Sequence, residues 1–241
     1  MILDLAGTRR PASEQRVTKV QVFSRIRAAL VVAGCAAVMV GCASTVAPQV
    51  KRLPERVELS GTFYRGEANQ SGPQVLASLL SQQGIVITPG LLEKPLHLPG
   101  AEDKLQQNIQ SVAREYGMVV YPLDKSLPAL LTQVAAGFPV MVRFSEGSAF
   151  WAEPRYAILS GYDRNKQKVL LRAGMNRREL MSFSAFESAF EKSGGWAILI
   201  QKPAQIPADV DRQRWLKAAD ELSQAGQESE AAQARKALAA H

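Results

Sequence analysis

Nucleophilic catalysis needs a thiol or an activated hydroxyl and a base beside it, and this 241-residue chain is poor in both. It has two cysteines, Cys35 and Cys42, and two histidines, His97 and His241. Both cysteines fall in a leader-like segment. Arg25 and Arg27 precede Ala28 to Gly41, a run without a charge, and Cys42-Ala43-Ser44-Thr45 follows. A basic stretch, an apolar run of about 14 residues and small residues before a cysteine predict a bacterial lipoprotein signal over residues 1–42, with Cys42 lipidated. Val32-Ala33-Gly34-Cys35 has the same form but leaves only about six apolar residues after Arg27. Ala43 rather than Asp after the cysteine points to the outer membrane, with the chain facing the periplasm and a multiply acylated cysteine as the anchor. The mature chain would then hold no thiolate, disulfide or cysteine metal site, and no metal or other cofactor is expected. His97 sits in a loop where a surface or packing role is expected, and His241 is the last residue.

Residues 1–42 carry six basic and two acidic residues, so +4 of the net charge of +7 belongs to the leader and +3 remains. No Lys/Arg run suits a nucleic-acid footprint, and no nucleic-acid partner is expected.

Residues 68–84 read as a helix with both ends marked. Ser71 stands at an N-cap position with Gln74 three residues on, Pro73 falls in the first turn, and Gly84 closes the run. Val75, Leu76, Leu79 and Leu80 supply the apolar face. The same stretch resembles the segment Gln…Cys-Gly-Pro-Ala-Ala-Leu-Ala that opens the first helix of the bacteriocin-processing (double-glycine leader) cysteine peptidases. Gln70, Gly72-Pro73 and Leu76-Ala77 match, and Ser71 takes the place of the nucleophile. A second stretch, Arg155-Tyr156-Ala157-Ile158-Leu159-Ser160-Gly161-Tyr162-Asp163, is similar to the family's His-Tyr-Ala-Val-Val-x-Gly-Tyr-Asp, with Arg155 in place of the histidine base.

The resemblance covers roughly residues 62–201 and implies an α+β, papain-like fold. It implies that Gln70 stands where the oxyanion-hole glutamine would, and that Asn176 is the nearest counterpart of the group that orients the base. Arginine stays protonated and cannot serve as a general base near neutral pH. A helix N-terminus lowers a thiol pKa usefully but leaves a serine hydroxyl far too basic. Ser71 reads equally as a helix cap, Gln70 as a loop amide and Arg155 as a strand-end charge.

The remaining order is helices first, then strands, which is α+β. Helices are expected from Thr88-Pro89, over Leu105 to Ala113, from Ser126, and from about Ser184. Strands are expected at Leu59–Tyr64, Met118–Tyr121, Pro139–Phe144, Arg155–Tyr162, Gln167–Arg172, Glu179–Phe183 and Trp196–Ile200. Residues 43–60 read as a tether, 61–203 as the papain-like domain, and 207–241 as a helix pair resembling one tetratricopeptide unit. A lone unit of that kind must dock on the domain, on a second copy or on a partner. The expected function is an inactive peptidase-like module. It would bind a peptide or protein through Gln70, Ser71 and Arg155, with an envelope partner on the C-terminal helices and the membrane held by the lipid. The alternatives are a hydrolase that uses Ser71 with an unrecognised base, and a structural scaffold.

Overall fold

Strands in the second half of the chain alternate between two apolar neighbours rather than between core and water. Val140, Val142, Phe144, Ala157, Leu159, Ala197 and Leu199 join one buried cluster. Met141, Tyr156, Ile158, Ile198 and Ile200 join the other. A strand buried on both sides belongs to a sheet covered by helices on each face, and the computed structural model has that form. It describes residues 47–67, 70–148 and 151–241. The expected lipoprotein signal, with Cys35 and Cys42, lies outside the described residues.

The sheet contains β1 (Arg56–Glu58), β2 (Val119–Pro122), β3 (Val140–Ser148), β4 (Trp151–Asp163), β5 (Lys168–Ala173), β6 (Asn176–Ser182) and β7 (Ala197–Gln201). Its order is β2-β7-β3-β4-β5-β6, antiparallel throughout, and β1 pairs with the end of β4. The strand latest in sequence therefore sits inside the sheet, between β2 and β3. Gly161 in β4 allows β1 to come close, because a Cβ there would collide with the Val57 carbonyl oxygen and lie 3.1 Å from Glu58 Cα. The adjoining β-bulge, between Leu159 and Gly161, shifts the β4–β5 register.

One helical layer holds α2 (Ser71–Gln82), α3 (Pro89–Glu93) and α4 (Leu105–Glu115), which bury Leu76, Leu80, Leu92, Ile109 and Val112. The other holds α1 (Pro48–Lys51), α5 (Leu127–Ala135), α6 (Phe183–Lys192), α7 (Arg212–Gln224) and α8 (Glu228–Ala240). The α+β class expected from the sequence is the class observed, and most elements lie where periodicity placed them.

Four local expectations are corrected. Residues 47–60 are not a tether. Val50 of α1 is 2% exposed in the core, and β1 occupies Arg56–Glu58 in place of the strand expected over Leu59–Tyr64. Glu58 accepts from Arg178 Nε at 2.9 Å and from Arg56, which ties β1 to β6. The helix expected from about Ser184 is present at Phe183–Lys192, where the Ser182 hydroxyl caps it by accepting the Ala185 N–H. Ser71 is the first helical residue of α2 rather than its cap, and Gln70 precedes it without a side-chain capping bond.

The fourth correction concerns the C-terminal helices. They form the antiparallel pair expected, but they are not a separate domain at 207–241. Trp215, Ala218, Ala219, Leu222, Ala231, Ala234 and Leu238 merge into the cluster that contains Val119, Tyr121 and Leu130. Of the three docking places expected for the pair, it takes the domain itself, and these seven residues are buried there. Arg114 of α4 and Glu221 of α7 add an ion pair across that junction.

Candidate functional site

The first turn of α2 abuts the stretch of β4 where the sheet loses a strand. Pairing of β5 with β4 ends at Ile158↔Arg172. Two residues earlier, Tyr156 lies opposite Arg143 on the β3 side, and Arg143 directs its own N–H away, to Trp196 O at 3.0 Å. The Tyr156 N–H therefore points off the exposed edge of β4, with no strand to receive it. Ser71 Oγ receives it instead, at 3.1 Å. Ser71 is only 2% exposed. Its hydroxyl oxygen stands in for a missing ladder acceptor, as buried amides require.

Removing that oxygen should leave a buried N–H unsatisfied. Ser71→Ala is expected to lower the unfolding free energy by about 1–3 kcal/mol, with the loss read from urea denaturation against wild type. A purely catalytic serine would cost little or nothing in the same measurement.

Beside Ser71 lies a cleft of about 420 Å³, lined by Gln70, Ser71, Pro73, Leu105, Pro154 and Tyr156 together with Glu93, Leu98, Pro99, Glu102 and Arg143. Gln70 is exposed, and its Oε1 lies 3.5 Å from Gln74 Nε2. Tyr156 packs edge-on against Trp196, with centroids 5.6 Å apart. Burial drives its phenol up to about 12 despite the opposing charge of Arg143, so it stays a protonated donor at any physiological pH. Glu102 is held by the Gly100 N–H at 3.1 Å.

The sequence-selected residues do not all meet here. Gln70 and Ser71 line the cleft. Arg155 does not, because the strand alternation that turns Pro154 and Tyr156 inward turns Arg155 to the other side. Its guanidinium lies against Gly174, whose φ of +53° and missing Cβ make the space for Nη2. Asn176 is exposed where β6 starts, paired across the turn with Ala173. His97 is exposed on the loop after α3 and does not line the cleft, and His241 ends the chain beyond α8.

Sequence reasoning missed Arg143, Glu93 and Glu102, and it did not assign Tyr156 a site role. A signal for Arg143 was present. It is the single charge in Val140-Met141-Val142-Arg143-Phe144, on the same face as Met141, so that face must open where the arginine stands.

A scan against protein-family models finds no match, and neither does a search of curated proteins. Among solved structures, one from Bacillus anthracis described as a C39-like peptidase is similar at 16% identity and a TM-score of 0.48, over 62% of this chain and 98% of that one.

Proposed function

We propose that the chain is an outer-membrane lipoprotein whose periplasmic domain is a degenerate papain-like peptidase that binds peptides without cutting them. One observation supports this most. The hydroxyl at the nucleophile position is engaged as an acceptor for the Tyr156 amide, in a buried structural role. The base position carries Arg155, which cannot take its proton. What remains is a cleft with apolar walls from Leu98, Leu105 and three prolines, and a few polar groups of both signs. That lining is the usual character of a ligand site. Among the described residues no helix is long and apolar enough to cross a membrane, and attachment is assigned to lipid on Cys42.

A hydrolase acting through Ser71 would have to recruit Glu93 or Glu102, the two carboxylates that line the cleft. The test is exposure of the full chain, in detergent, to a fluorophosphonate probe and a peptide and ester panel, with Ser71→Ala as control. The expected result is no labelling and no turnover in either protein. Labelling that disappears in Ser71→Ala would overturn the binding-only reading.

A further inference from the structure

The cleft carries charge of both signs on separate elements. Glu93 and Glu102 come from the α3-to-α4 segment, and Arg143 comes from the sheet beneath. Arg143 is held in place before any ligand arrives. Its Nη1 donates to Ser193 O at 2.8 Å, and the Ser193 hydroxyl donates to the Arg143 carbonyl at 2.6 Å. A guanidinium has five N–H donors, and among the described residues no carboxylate forms an ion pair with this one. The Tyr156 phenol, which feels the Arg143 charge, adds a neutral donor on the same wall. A fixed cation beside a hydroxyl donor is the arrangement that receives a carboxylate. Glu93 and Glu102 line the same cleft, and two carboxylates in one small cleft attract a cation.

From this geometry, and resting on the peptide-binding reading above, we infer that the cleft selects dipolar peptides. Arg143 with the Tyr156 hydroxyl takes a carboxylate, and Glu93 with Glu102 takes a cationic side chain of the same ligand. The carboxylate can come from a chain terminus or from an acidic side chain, because the chemistry at Arg143 is the same. Arg155, which sequence reasoning put in this role, has its guanidinium elsewhere.

Fluorescence anisotropy with the full chain in detergent tests this. The probes are N-terminally fluorescein-labelled Gly-Lys-Gly-Gly-Ala as free acid and as amide, the free acid with Lys replaced by Ala, and Gly-Lys-Gly-Asp-Gly as amide. The free acid is expected to bind at least about tenfold tighter than the Gly-Gly-Ala amide, a difference of about 1.4 kcal/mol. Arg143→Gln should erase that difference, and Glu93→Gln with Glu102→Gln should erase the preference for Lys over Ala. Arg143→Lys keeps the charge and is expected to fall between, which guards against a folding defect in Arg143→Gln. If the Asp amide binds as the free acid does, the carboxylate is read wherever it stands. If only the free acid binds, the terminus is read. Both results uphold the inference. Equal binding of all four probes would overturn dipolar selection and leave peptide binding intact. Binding of none at millimolar concentration would overturn both.

Discussion

Replacing Trp215 with alanine is expected to cost the protein about 3–5 kcal/mol, enough to leave a domain of ordinary stability partly unfolded at 37 °C. Trp215 is fully buried, its indole N–H donates to Ala234 O at 2.9 Å, and its ring lies 6.0 Å from Tyr121 of the sheet. The substitution would remove the largest side chain joining α7, α8 and β2, and would leave the Ala234 carbonyl without its donor. Tyr121 would lose its ring partner, although its hydroxyl would still accept the Asp211 N–H at 3.0 Å. Guanidinium denaturation followed by circular dichroism checks this, with Trp215→Phe expected to recover part of the loss. Truncation after residue 206 should go further and yield insoluble chain, because seven buried residues of the helix pair cover one face of the sheet. A truncated chain that stays folded, with an unchanged midpoint, would show the helix pair to be an appendage after all.

The second large effect is expected at Gly161. A Cβ there meets backbone, not a flexible side-chain end, so the conflict is relieved only by moving β1. Gly161→Ala is expected to cost about 1–3 kcal/mol, and Gly161→Val more. The loss should have a local signature. With β1 displaced, Val57 leaves the cluster it packs against, and residues 47–60 should become the first segment cut in limited proteolysis. Cleavage beginning elsewhere, or a midpoint unchanged from wild type, would contradict the role given to this glycine.

Helix α2 was legible because its signals are local. Its apolar face follows from spacing, and Gly84 takes φ +92° at its end, where the Ile85 N–H returns to Leu80 O at 3.1 Å. The strands were legible because burial on both faces leaves short apolar runs, such as Val140-Met141-Val142 and Ala197-Ile198-Leu199-Ile200, bounded by turn residues. The segment before β1 was not, since a four-residue helix and a three-residue strand are too short to show a period. Within the site, Gln70 and Ser71 could be reached from sequence, but the reason for Ser71 could not. It depends on where β5 stops pairing with β4, a matter of register between residues far apart in the chain. The same holds for Glu93 and Glu102, which the fold brings into one cleft with Arg143. Arg155 shows the opposite case, where period 2 applied to Pro154-Arg155-Tyr156 separates the arginine from its neighbours.

The interior position of β7 has a consequence for how the chain is made. Until Gln201 has been synthesised, β2 and β3 have no strand to join them, and the sheet exists only as separate pieces with open edges. The covering layer that Trp215 anchors arrives later still. Long-range pairings of this kind fold slowly, because distant segments must meet before their contacts form. A chain that lacks its last quarter, and β7 with it, is therefore expected to leave β2 detached and the β3 edge open.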